Sequence, residues 1–235
     1  MPEQLFDYFK ESSHTALQLG NQVVHLHQIA LPKTSASQTA IQTLSAAEIT
    51  RAEKYLSKED ENRYTHAQIF KRRILSHYTN KPAQQLVFGA AVNYGKPYLE
   101  EHSDIHFNLA YRGNYAILAI ADNELGVDIE KEIVIHHMEV FATNFFSESE
   151  RNWLFDVNHI HARKTNFFKL WTLKEAFIKA IGKGISYPLQ DFSILIKETG
   201  IALELPIKYN TEFSFAPIAT SEGYAAAVCI INKNT

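Results

Sequence analysis

Leu125-Gly126-Val127-Asp128-Ile129-Glu130 and Trp171-Thr172-Leu173-Lys174-Glu175-Ala176-Phe177-Ile178-Lys179-Ala180 are the two stretches on which the fold and the chemistry turn. The first has the alternation and β-branching of a strand, so its even positions share one face and Asp128 and Glu130 project side by side. Two carboxylates about 6.5–7 Å apart along an apolar strand repel each other unless a positive charge lies between them. A hard divalent cation is one solution, since Mg²⁺ takes oxygen ligands and keeps room for waters and phosphates. Two unrelated acids at a solvent-exposed strand end are the other reading. The second stretch is the core of a helix expected over about residues 163–181 and stopped by Gly182 or Gly184. There Glu175 and Lys179 stand four apart, a surface ion pair on one reading and a metal ligand beside a phosphate-binding cation on the other.

Outward from these stretches, Val23 to His27 reads as a strand, while residues 1–20 look like a helical or irregular leader and Pro32 to Gln42 like a loop. Ser45 opens a helix with Glu48 completing a capping box. A second helix starts after Ser57 and places Ala67, Phe70, Ile74 and Tyr78 on one buried face. The chain is expected to be irregular from Pro82 through Gly95. Strands follow at Ile105–Tyr111 and Tyr115–Ala121 around a turn at Arg112-Gly113-Asn114. Helical pattern returns at His137–Phe145 and after Ser147, and the last fifty residues alternate strands and turns. Helix and strand together give an α+β class.

Composition sets bounds. The 235 residues carry a net charge of −3, so no global basic field draws the chain to nucleic acid, and an anionic ligand needs a local cluster of Lys and Arg. The one cysteine, Cys229, lies in an apolar run and reads as core. No stretch has the length of a membrane span and the N-terminus lacks a signal peptide's pattern, which places the protein in the cytoplasm as an expectation. The pairs His25/His27, His136/His137 and His159/His161 lack the spacing of a zinc site, and packing or surface roles are expected of them.

Read in order, Gly95-Lys96-Pro97, Phe107-Asn108, Gly126-Val127-Asp128-Ile129-Glu130, Phe145-Phe146-Ser147 with Glu150, and Trp171-x-x-Lys174-Glu175-Ala176-x-x-Lys179 resemble the 4′-phosphopantetheinyl transferase superfamily, in its longer, surfactin-synthetase-activating type. The resemblance spans about residues 45–230. It implies two similar αβ halves related by a pseudo-twofold axis, divided at residues 1–118 and 119–235 with the seam near residues 113–125, and coenzyme A in the cleft between them. It further implies that Asp128, Glu130 and Glu175 hold Mg²⁺, that Lys96, Lys174 and Lys179 touch phosphates, and that Arg63, with Arg51 less securely aligned, lies near the nucleotide's 3′-phosphate.

The implied reaction moves phosphopantetheine from coenzyme A to a serine of an apo acyl, peptidyl or aryl carrier protein, releasing 3′,5′-ADP, and the longer members usually act as monomers. Glu150 matches a candidate base, and it is also the N3 partner of Ser147 in a capping box; both roles stand. The sequence departs from the family at Ala110-Tyr111, where a Ser-His pair is usual and the histidine contacts phosphate. Tyr111 can donate a hydrogen bond there but brings no positive charge. That departure keeps open a relative that binds coenzyme A or a carrier without transfer, and the acidic group alone leaves room for a metal-dependent phosphohydrolase.

Overall fold

The computed structural model describes residues 7–91, 95–157, 159–184, 187–205 and 211–232. In chain order the elements are strands β1 (Ser13–Leu19) and β2 (Gln22–Ala30), helices α1 (Gln38–Ile41), α2 (Ala46–Ala52) and α3 (Lys58–Thr79), strands β3 (Phe88–Ala90), β4 (Pro97–Leu99), β5 (His106–Arg112), β6 (Tyr115–Ala121) and β7 (Leu125–Lys131), helices α4 (Met138–Phe145), α5 (Glu148–Phe155) and α6 (Ile160–Ala180), and strands β8 (Ser193–Lys197), β9 (Gly200–Glu204), β10 (Phe213–Pro217) and β11 (Tyr224–Ile231). The class is α+β. A four-stranded antiparallel sheet runs β1-β2-β6-β5 and a three-stranded one β10-β11-β7, with two small hairpins, β3-β4 and β8-β9.

The period-2 pattern decides where each sheet face goes. On β6, Ala116, Leu118 and Ile120 pack with Ala67, Phe70 and Ile74 of α3, forming one core. The intervening Ile117, Ala119 and Ala121 face the other way and meet Leu125, Val127 and Ile129 of β7 and Ala226, Val228 and Ile230 of β11 in a second core between the sheets. A third lies under α6, where Leu170, Leu173 and Phe177 pack with Phe146, Leu154 and Phe192. Each fully buried Leu, Ile or Phe contributes about 1.5–3 kcal/mol relative to exposure.

Caps fix the helix starts. Ser45 with Glu48 and Ser147 with Glu150 both form complete capping boxes, and Ser57 Oγ accepts from Asp60 N to start α3. Glu48 also ties α2 to α3 by accepting from Lys71 Nζ at 3.0 Å and Arg72 Nε at 2.6 Å. Gly182 at φ +63° follows the end of α6, the left-handed stop expected of it.

Three readings of the sequence are corrected. The leader contains a strand, β1, paired in register with β2 from Ser13↔Gln28 to Leu19↔Gln22, and residues 1–6 lie outside the described residues. Its residues are mostly exposed, and only Leu17 and Leu19 alternate into the core between the sheets, too short a run to signal a strand. The Pro32–Gln42 loop contains the short helix α1, capped by Ser37. The stretch after Pro82 contains the β3-β4 hairpin, Phe88↔Leu99 to Ala90↔Pro97; residues 92–94 within it lie outside the described residues.

The expected packing role of the β2 histidines has a pH consequence. His27 is buried, bonds Tyr78 Oη through Nε2 at 2.9 Å and stacks on His14. Burial first, then the charges of His14, His25 and His77, lower its pKa to about 4. The unfolded chain, titrating near 6.5, therefore takes up the proton before the folded chain does. The stability contribution is complete above pH 6.5 and is lost as pH falls from 6.5 to 4, by about 3 kcal/mol in all. The melting temperature should drop across that window, and His27→Phe should reduce the slope, with His25 and His66, whose pKa values burial also lowers, supplying part of the remainder. A wild type whose melting is flat from pH 6.5 to 4.5 would contradict the assignment.

Candidate active site

β7 carries the site because its two faces do different work. Leu125, Val127 and Ile129 are buried between the sheets, and the alternate residues Gly126, Asp128 and Glu130 face α6. Gly126 sets the distance. A Cβ there would lie 2.1 Å from the Ala176 carbonyl oxygen and 2.4 Å from Ala180 N, so only glycine lets the helix backbone come this close. With α6 pressed on β7, Glu175 and Lys179, one turn apart, reach the strand's carboxylates.

Lys179 Nζ donates to Asp128 Oδ1 at 2.6 Å and to the Val127 carbonyl at 3.1 Å. Asp128 is 6% exposed, and its second oxygen, Oδ2, is buried without a hydrogen-bond partner. Glu130 Oε2 lies 3.0 Å from Arg112 Nε. Burial raises the Glu130 pKa, Asp128 raises it further, and Arg112 and Lys179 oppose. Burial likewise raises that of Glu175, with Asp128 and Glu130 adding and Lys179 opposing. The three acids thus act on one another as a single electrostatic group.

These residues suit a divalent cation by donor type. Three carboxylates supply hard oxygens, one of them an orphaned buried oxygen, and their mutual repulsion is relieved by a positive ion. They are not drawn onto one point. Among the described residues no three acidic, histidine or cysteine side chains are gathered so as to hold a metal ion. Lys179 and Arg112 hold Asp128 and Glu130 instead. Mg²⁺ is compatible with this, since it binds through one or two carboxylates together with waters and substrate phosphates rather than in an all-protein cage.

Two of the expected residues belong elsewhere. Lys174 is 0% exposed and Glu150 1%. Lys174 Nζ donates to both Glu150 oxygens at 2.7 Å and to the Phe192 carbonyl at 2.8 Å. Burial lowers the Lys174 pKa to about 8, against the pull of Glu150. Glu150 also accepts from Ser147 N and Ile194 N, at 2.8 and 2.7 Å. This pair joins α5, α6 and β8 inside the core. Lys174 as a phosphate contact and Glu150 as a proton acceptor would each first require this buried pair to open.

The other expected cations lie around the N-terminal sheet. Lys96 Nζ bonds Glu124 Oε2 at 2.5 Å, the Leu125 carbonyl at 2.9 Å and the Ala180 carbonyl at 3.3 Å, pinning the start of β7 to the end of α6. Arg63 is held by Glu59 and Asp60 of its own helix, at 3.0 and 2.7 Å. Arg51 sits over the Tyr64 ring at 5.4 Å. Tyr111 is half-buried and bonded to Tyr55, and burial raises its phenol well above the usual range, so it supplies no charge of either sign. Ala110 is buried between the sheets.

Sequence reasoning missed Arg112 and the role of Asn108. Asn108 Oδ1 accepts from Val127 N at 2.8 Å, so a side chain closes the gap between β5 and β7. Arg112 lies four residues further along β5 on the same face, and period 2 counted from Asn108 would have found it.

Comparison with known proteins agrees along most of the chain. Residues 124–229 match the model of the 4′-phosphopantetheinyl transferase superfamily, and residues 31–123 match that of the 4′-phosphopantetheinyl transferase N-terminal region. The 4′-phosphopantetheinyl transferase ffp of Bacillus subtilis is 33% identical over 187 residues, which are 79% of this chain and 81% of that protein. Sfp of Bacillus subtilis strain 168 is 31% identical, covering 76% of this chain and 78% of its own. HetI of Nostoc sp. is 30% identical over 214 residues, 88% of this chain and 87% of its own. With the acidic strand and the helix that faces it both inside the 124–229 match, the chain belongs to the 4′-phosphopantetheinyl transferase superfamily.

Proposed function

We propose that this protein transfers 4′-phosphopantetheine from coenzyme A to a serine hydroxyl of an apo carrier protein, with Mg²⁺, and that it works as a cytoplasmic monomer. The observation that carries the reading is the carboxylate group Asp128, Glu130 and Glu175 facing Lys179, with one buried oxygen left unpaired. The two sheets, each with a long helix on its outer face, support two αβ halves related by a pseudo-twofold axis with coenzyme A between them; a division at residues 118 and 119 would cut β6, which belongs whole to the first sheet, so the boundary is drawn after Ala121. No described helix is long and apolar enough to cross a membrane.

In this reading the serine oxygen attacks the β-phosphorus, the bond from that phosphorus to the bridging oxygen breaks, and its electron pair leaves on 3′,5′-ADP. Asp128, Glu130 and Glu175 are the residues that would hold Mg²⁺, which when bound would offset charge on the diphosphate. Lys179 adds a cation beside the same oxygens, and positioned charge of this kind supplies most of the catalysis of phosphoryl-type transfer. Lys96, Arg63 and Arg51 serve the nucleotide end, each after giving up the partner it now holds. The serine proton goes to water or to a carboxylate; Glu150, which matches the candidate base, would have to give up its pairing with Lys174 to take it.

Incubation of apo acyl, peptidyl and aryl carriers with the protein, coenzyme A and Mg²⁺ should raise the mass of at least one carrier by one phosphopantetheine, and chelation should stop it. A panel left wholly unmodified would overturn the reading. The half-buried, uncharged Tyr111 favours one alternative, a relative that binds coenzyme A without transfer. Coenzyme binding with no modified carrier would select it.

A further inference from the structure

Three residues of β5 reach across to β7, and one differs from the others. His106 Nδ1 lies 3.2 Å from Glu124 Oε1, and buried Asn108 bonds the backbone of Val127, both joining the sheets. Arg112, at the end of the strand, is 55% exposed and meets Glu130 through Nε. Its Nη1 and Nη2 make no hydrogen bond among the described residues. Its charge is also felt by Asp60 at the start of α3. The guanidinium therefore stands at the mouth of the acidic group with most of its donor fork unused, in a shape that suits two oxygens of a phosphate.

The charges at the site explain why it is there. Asp128 is matched by Lys179 and Glu130 by Arg112. While Arg112 holds Glu130 Oε2, that oxygen is shared with the guanidinium and the carboxylate is a weaker ligand for a cation. A phosphate offers the guanidinium a stronger, two-pronged partner than the single Nε contact, and Glu130 is freed as the exchange occurs.

We infer that Arg112 is a phosphate-binding residue that exchanges Glu130 for the diphosphate of the nucleotide co-substrate, so that arrival of the diphosphate releases a carboxylate to the divalent cation. The inference rests on the proposed function for the identity of the diphosphate. It makes Arg112 a competitor of the cation in the absence of coenzyme and a binding partner in its presence. The two ligands thereby favour each other, and such coupling is reciprocal.

Titration calorimetry tests it on Arg112→Ala and Arg112→Lys, using Mn²⁺ alone in one arm and coenzyme A with saturating Mg²⁺ in the other. Arg112→Ala should bind Mn²⁺ about 5-fold more tightly than the wild type and coenzyme A about 10-fold more weakly, with Arg112→Lys between the two for coenzyme A. A residue that only props the fold would weaken both. Unless the two affinities move in opposite directions, the inference fails, and unchanged melting of Arg112→Lys confirms that folded protein is compared. A wild type that binds coenzyme A and modifies no carrier refutes the transferase reading, while the two binding arms still decide Arg112. A wild type that binds no coenzyme A overturns both.

Discussion

Asp128→Asn should lower the rate of carrier modification by about 10³-fold or more while leaving the protein folded. The substitution keeps shape and the oxygen that accepts from Lys179 Nζ, and it removes only the charge and the buried unpaired oxygen Oδ2. Removing a single preorganised charge-stabilising group from a transition state costs about 10²–10³-fold. Here the loss is expected to be larger, because under the proposed function the same oxygen would belong to the set that holds the cation. Stability should hardly change, since Glu130 and Glu175 are relieved of a like charge that raises both their pKa values, against a weaker bond to Lys179. Mass spectrometry of the carrier at saturating coenzyme A and Mg²⁺, together with a melting curve, separates the two effects. A folded variant that retains the wild-type rate would take Asp128 out of the ion-binding group.

What could be read from the sequence, and what could not, follows from the range of each signal. Capping boxes and strand alternation are local, and they placed α2, α5 and β7 together with the face on which Asp128 and Glu130 stand. The close approach of α6 was not local. Gly126 reads as an ordinary strand glycine until the Ala176 carbonyl is seen 2.1 Å from where its Cβ would be. Lys174 and Glu175 misled by adjacency: neighbours on a helix point about 100° apart, so a shared motif does not make a shared face. One entered the core, while the other stays half-buried beside the carboxylates of β7. Arg112 was concealed by its place beside Gly113, where it reads as turn, although its side chain belongs to the strand's cross-sheet face. β1 was invisible because an edge strand with an exposed face needs no apolar alternation.

Lys174→Met should cost about 3–5 kcal/mol, the largest loss of stability expected from any single change discussed above. The cost does not come from the pair being strong. Desolvating both charges offsets most of their attraction, but removing one strands the other in the core. Glu150 is 1% exposed and would keep its negative charge with only the N–H groups of Ser147 and Ile194 to answer it. Glu150→Gln added to Lys174→Met should therefore restore about 2 kcal/mol, because a neutral amide leaves no stranded charge and its one carbonyl oxygen can still accept from Ser147 N or Ile194 N. Urea unfolding of the wild type, the two single variants and the double variant closes this cycle. Single losses that simply add would show that the two side chains do not act as a pair. The same Glu150→Gln protein separates two roles that the sequence left joined. A capping and pairing residue loses stability, while its folded fraction keeps most of the transfer rate. A proton acceptor would lose about 10²-fold or more in rate even where fully folded, and that result would return Glu150 to the chemistry from which its buried contacts remove it.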